Sequence, residues 1–298
     1  MLLNKIITGN IGDDTVSIID LDDLNQVDTI DIKELMNTNG RIGPWDMTLN
    51  DRGELLILNS YDESLIILNM SPNIIKSKIK LGRTPICIKV YSGKIYILNC
   101  DSNSLSILSE TTLHQIEEIY LGEKPSDLQI DNLTYKAYIA NSNGNSISII
   151  NLLDNTIEVQ NINSQPIRLL IFDQKIYILS YVNNGVINYS SISILDLNTK
   201  EMKDFKIKGI FIDFVMLNEM FFLLTNPEDG YLYSFNMNTN SLLKRLYIGG
   251  MPNKIIKDNE NLYITDLLNN LVLIIDLRRD MIIKKIKVGK EPQGFVLL

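Results

Sequence analysis

Apolar residues in this chain fall in short alternating runs bounded by Asn, Asp, Ser and Gly, and nowhere do they recur at helical spacing over a useful length. Residues 94 to 125, KIYILNCDSNSLSILSETTLHQIEEIYLGEKP, show the unit. An apolar strand ends in Asn, a polar turn leads to a second apolar strand, a further turn leads to a more polar strand, and a Gly-x-x-Pro step follows. The phrase returns about every forty residues. Pro44, Pro85, Pro125 and Pro166 are separated by 41, 40 and 41 residues, and Pro252 and Pro292 by 40. The 86 residues between Pro166 and Pro252 hold two copies, because Gly209 stands where Gly82, Gly122, Gly249 and Gly289 stand, which puts Ile212 at the Pro position. One strand (QGFVLL) is left after Pro292, and three (KIITGN, TVSIID, QVDTIDI) precede Pro44. Joined, they make a seventh copy.

Each copy is expected to be a four-stranded antiparallel sheet, strands A to D. In strand A the third residue after the Pro position is always apolar (Met47, Ile88, Leu128, Leu169, Val215, Ile255, Phe295) and must face a neighbouring sheet. Strand B ends at Asn10, Asn59, Asn99, Asn141, Ser180, Thr225 or Asp266. Strand C alternates cleanly, and strand D is the most polar, as suits an outer edge with one wet face. Seven such sheets predict an all-β fold: a single seven-bladed β-propeller domain over residues 1–298, its ring closed by the C-terminal strand joining the N-terminal blade.

The strands IYILN, AYIAN and LYITD, each followed by a polar turn and a TVSIID-like strand, resemble the YVTN family of β-propeller repeats over nearly the whole chain. That resemblance implies the propeller fold and leaves function open, since relatives include surface-layer proteins, binding propellers and, more distantly, lactonase-like enzymes. The copy containing Ile212 and Thr225, the fifth, departs most from the pattern.

Composition narrows the function. With 298 residues, 45% of them apolar, the chain can bury a large core. A net charge of −8 and the lack of any basic run argue against a nucleic-acid partner. No run approaches the length of a membrane span, and MLLNKIITGN lacks the features of a signal peptide. Two cysteines, Cys87 and Cys100, fit reduced thiols in a cytoplasmic protein.

The Asn ladder is read as turn capping through nearby backbone groups. The second residues after the Pro position vary instead: Asp46, Cys87, Asp127, Arg168, Phe214, Lys254 and Gly294 should ring the channel mouth. They could form a polar pocket, or Arg168 and Lys254 could pair with Asp46 and Asp127 and plug the channel. A calcium site on Asp46 and Asp127 is a minor alternative. The single histidine, His114, lies on the opposite face, which excludes a His-dependent triad or zinc site. Trp45, either a recognition aromatic or a gap filler, sits beside the ring. Two long insertions, 32–43 and 181–190, emerge on the same face and carry Tyr181 and Tyr189, whereas the other face should offer only tight turns. The expected binding set is therefore Trp45, Asp46, Asp127, Arg168, Tyr181, Tyr189 and Lys254, with no catalytic residue, no cofactor and no metal. The function expected is a monomeric, non-catalytic binding or scaffolding propeller with a protein partner, as in assembly of a cell or spore surface. Two alternatives stand beside it: a lactonase-like hydrolase using channel-mouth carboxylates, and a carbohydrate or peptide binding module.

Overall fold

The computed structural model describes residues 4–183, 188–218 and 221–298. Among the described residues twenty-eight strands, numbered β1 to β28 in chain order, form seven four-stranded antiparallel sheets. The blades begin at β4 (Pro44–Leu49), β8 (Pro85–Tyr91), β12 (Pro125–Asp131), β16 (Gln165–Phe172), β20 (Asp213–Asn218) and β24 (Pro252–Lys257), which open blades one to six. Blade seven has the order β28-β1-β2-β3, where β28 is Pro292–Leu297, β1 is Lys5–Asn10, β2 is Thr15–Asp20 and β3 is Val27–Asp31. In it Ile6 pairs with Leu297, Ile7 with Val296 and Thr8 with Phe295, so the expected closure is what the structure contains.

Strand alternation explains the core. Successive side chains point to opposite faces, so Leu55 and Ile57 enter the seam between blades seven and one, while Leu56 and Leu58 enter the seam between blades one and two. The described residues form seven apolar clusters, one per seam. A blade has no core of its own, and each fully buried Leu or Ile contributes roughly 1.5–3 kcal/mol only while its neighbour is in place. Strand D shows the opposite pattern: in β7 (Asn73–Lys80) no residue is buried, and exposed and half-buried residues alternate from Ile74 onward.

The 32–43 insertion is packed. Asp31 caps a single helical turn, Ile32–Leu35, by accepting the Glu34 N–H at 2.8 Å. Ile32 and Ile42 are buried in the cluster between blades seven and one, and Ile42 donates its N–H to Asp14 Oδ1 at 2.8 Å. Arg41 lies 4.4 Å over the ring of Tyr61. Of the second insertion, Tyr181–Asn183 and Asn188–Ser190 extend the β17–β18 hairpin (Lys175–Asn183 and Asn188–Asp196), and residues 184–187 lie outside the described residues. No helix is long and apolar enough to cross a membrane among the described residues.

Candidate functional site: the charged channel mouth

The innermost strands all start at one end of the ring, and the residue just inside each start faces the channel. Asp46, Cys87, Asp127, Arg168 and Lys254 meet there as expected, around a cavity of about 360 Å³. Blade five differs from the sequence expectation. Phe214 is buried in the seam between blades four and five, packed 5.6 Å from Phe222, and Asp213 takes the channel position. The cause is register. Blades two, three and four shift register between the Pro position and the channel residue, whereas in blade five Asp213 pairs directly with Thr225 and the shift comes later, between Met216 and Asn218. A count from Gly209 therefore overshoots by one, and Phe214 replaces Val215 as the seam residue. In blade five a count back from the end of strand B finds the right residue, twelve positions from Thr225 to Asp213, as from Asn99 to Cys87, Ser180 to Arg168 and Asp266 to Lys254; the interval is thirteen in blade one (Asp46 to Asn59) and fourteen in blade three (Asp127 to Asn141). Lys89, two residues beyond Cys87 on the same strand face, also lines the cavity, a position that counting from the Pro step does not mark.

The three carboxylates share one role. Asp46 Oδ2 accepts the Ile88 N–H at 3.0 Å, Asp127 Oδ2 that of Leu169 at 2.7 Å, and Asp213 Oδ2 that of Ile255 at 3.2 Å. Each bond runs from one blade to the next. Asp127 and Asp213 use their other oxygen on the following amide, Leu128 at 2.9 Å and Phe214 at 3.0 Å. These aspartates clasp the seams between blades one and two, three and four, and five and six. Between blades six and seven the buried pair Asn253 and Gln293 is joined at 2.6 Å. Between seven and one Gly294 allows close approach, since a Cβ there would lie 3.1 Å from Met47 Cε and 3.2 Å from the Trp45 carbonyl.

The cations are arranged differently from the expectation. Arg168 pairs with Asp213 (Nε to Oδ1, 3.5 Å) rather than with Asp46 or Asp127, and it donates to the carbonyls of Ile167 and Ser126 at 3.2 and 3.4 Å. Its Nε makes no hydrogen bond. Neither Lys254 nor Lys89 has an acid within 4.0 Å among the described residues. Burial, then the Arg168 charge, pull the Lys254 ammonium below the usual lysine value. Burial raises the Asp213 carboxyl, only partly offset by Arg168 and Lys254. Burial also acts against the Arg168 charge, but Asp213 and Asp127 outweigh it and hold the guanidinium charged. The Cys87 thiol is pushed up to about 12 by burial, with Asp46 adding to the effect, so it is neutral.

The Asn ladder is not uniform turn capping. Asn10, Asn99 and Asn141 are fully buried and donate to two strand-C hydroxyls each, Thr15 and Ser17, Ser104 and Ser106, Ser146 and Ser148. Asn59 and Asp266 do cap turns, through the amides of Tyr61 and of Leu268 and Asn269. Gly82 and Gly122 are required beside them, because a Cβ at either would lie 2.7 Å from the Asn99 or Asn141 side chain.

The remaining expected residues sit around the mouth without entering it. Trp45 is half-buried at the head of β4. Tyr181 pairs with Gln165 and Ser190, and Tyr189 lies 5.6 Å beneath the Lys206 ammonium. Both cysteines are free, and His114 is exposed in a turn on the opposite face. That face holds more than tight turns: a cleft of about 530 Å³ opens between blades four and five, lined by Phe172, Tyr177, Phe205 and Glu201. Its Asp196 is engaged by the turn amides of Asn198 and Thr199. No group of three or more His, Cys, Asp or Glu side chains arranged to hold a metal ion occurs among the described residues.

No protein-family model matches the chain, and no curated protein matches it. Solved structures do. It is similar to Kuenenia stuttgartiensis hydrazine synthase, with a TM-score of 0.75 at 17% identity over 86% of this chain and 90% of that one. A putative 6-phosphogluconolactonase from Bacteroides fragilis gives 0.73 at 11% identity over 98% and 97%. Virginiamycin B lyase from Staphylococcus aureus gives 0.71 at 16% identity over 86% and 89%. At such identities these likenesses establish the fold, a seven-bladed β-propeller shared with a lactonase-like protein and with enzymes of unrelated chemistry, and nothing narrower.

Proposed function

We propose that this chain is a non-catalytic binding or scaffolding propeller of the YVTN-repeat type, a cytoplasmic monomer that engages a protein partner through the face bearing the channel mouth. One observation carries the non-catalytic part: all three channel carboxylates are engaged by backbone amides of the next blade. A lactonase-like hydrolase needs a general base or a metal ligand with free lone pairs; each oxygen of Asp127 and Asp213 already accepts a backbone amide, and Asp46 alone keeps an oxygen without one. The repeat assignment rests on the xYIxN strands and on the fully buried Asn that ends strand B in four blades. The choice of face rests on its aromatic and cationic groups: Tyr61 and Leu35, both exposed, Arg41 stacked on Tyr61, and Tyr189 with Lys206. Interfaces draw most of their energy from such anchors.

Arg168, held inside the channel, is not a surface anchor, so the test uses Tyr189 and Tyr61. Affinity capture from native extract is compared for the wild type, Tyr61→Ala with Tyr189→Ala, and a far-face pair, Asn198→Ala with Arg279→Ala. Loss of an anchor costs about 1–3 kcal/mol, or about 5- to 150-fold in affinity. The expected result is a discrete partner lost with the tyrosine variants and kept with the far-face pair. The reverse ranking refutes the choice of face.

A further inference from the structure

We propose that the channel is also a binding site for a small metabolite bearing a carboxylate or phosphate group, held by Lys89, Arg168 and Lys254. The proposal does not depend on a protein partner, since it concerns the channel interior rather than the rim.

Three cations line the cavity with three carboxylates, so formal charge cancels, but hydrogen bonding does not. Asp127 and Asp213 have both oxygens engaged by backbone amides, and Asp46 has one so engaged. The carboxylates are thus held against the walls by the seams they clasp. An ammonium carries three donors and no acceptor, a guanidinium five donors and no acceptor. Arg168 Nε is buried with no hydrogen bond, at 3.5 Å from Asp213, the one acid within 4.0 Å of it among the described residues. Lys89 and Lys254 reach no acid within 4.0 Å among the described residues.

Unsatisfied buried donors are costly. Arg168 Nε is such a donor; the Lys89 and Lys254 ammoniums are half-buried and face the cavity, where burial and the Arg168 charge both disfavour that of Lys254. An oxyanion with several acceptor lone pairs supplies what all three side chains lack, through charge-assisted bonds that are among the stronger ones available. The cavity, about 360 Å³, lies at the small end of the range for ligand pockets, which suits a metabolite and excludes a peptide. The cations come from blades two, four and six, so one bound group would tie three non-adjacent blades together.

The test uses the full chain with inorganic phosphate and malonate as separate probes, by calorimetric titration and thermal melts at fixed ionic strength, with sodium chloride as reference. Lys89→Met and Lys254→Met remove one ammonium each and keep an unbranched apolar stem, and Lys285→Met, on the exposed outer strand of blade six, is the control. The expected result is saturable binding of at least one probe, weakened tenfold or more by each channel variant and unchanged by the control. A stronger response to phosphate than to malonate assigns the ligand to the phosphates, and the converse to the carboxylates. If neither probe raises the melting temperature beyond sodium chloride, or if folded Lys89→Met and Lys254→Met bind undiminished, the site does not exist.

Discussion

Asp127→Ala tests the clasp that organises the channel. In the wild type one carboxylate accepts the Leu128 N–H at 2.9 Å and, across the seam, the Leu169 N–H at 2.7 Å. Leu128 and Leu169 are themselves buried, so neither amide gains a full water partner when the carboxylate is removed. An orphaned buried donor costs about 1–3 kcal/mol, and two of them set an upper range of about 2–6 kcal/mol. Relaxation of a channel residue that borders a cavity points to the lower half, about 2–4 kcal/mol. For a domain of this size, about 1 kcal/mol moves the melting temperature by roughly 2 °C, so a drop of about 4–8 °C is expected. Asp46→Ala, which breaks one clasp bond, should fall by roughly half as much. Asp204→Ala, at an exposed outer-strand position, should stay within about 0.5 kcal/mol. Scanning calorimetry or urea unfolding measures all three. If Asp127→Ala were as stable as Asp204→Ala, the seam bonds would carry no net energy and the account of the carboxylates would fail.

Two further outcomes follow from the same geometry. Deleting residues 293–298 removes the partner of β1 together with the bonds from the Asn4 N–H to the Leu298 carbonyl and from the Leu298 N–H to the Lys5 carbonyl, so it should abolish most cooperative unfolding by circular dichroism; an unchanged melt would refute closure through β28. Lys254→Met should stabilise the empty protein at pH 7, with the gain shrinking as pH rises. The folded pKa of Lys254 lies below its unfolded value, so on lowering the pH the unfolded chain takes up the proton first, and wild-type stability falls from about pH 10.5 down to the folded value; a difference between variant and wild type that does not change between pH 7 and pH 10.5 would contradict this.

The fold was legible because its evidence is repetition: Pro and Gly spacing gave the blades, and the mismatch of leftover strands gave the closure. The site was less legible, for physical reasons that can be named. Asp213 was hidden because a strand register shift, invisible to a count from Gly209, is absent at the head of blade five. Lys89 is hidden because a strand carries its channel face at every second residue, and the count from the Pro step marks only the first. Asn99 and Asn141 read as turn caps in sequence, yet they point into the sheet, where Ser106 and Ser148 stand as polar residues inside an apolar strand. The partner of Arg168 depends on which of three carboxylates lies nearest around a ring, a distance no linear spacing contains.

The closing blade also fixes where the chain can be tethered. Strand β1 runs away from Lys5 towards the channel mouth and β28 runs back from it, so Asn4 and Leu298, joined by a 3.0 Å hydrogen bond, lie side by side on the face opposite the mouth. A short loop between them would give a circular permutant with new ends at any outer turn. A tether fused at either position leaves the mouth unobstructed. Pulling on both would load the β1–β28 bonds one at a time, as a zipper and not as a shear joint, so this seam is where the ring yields first under force.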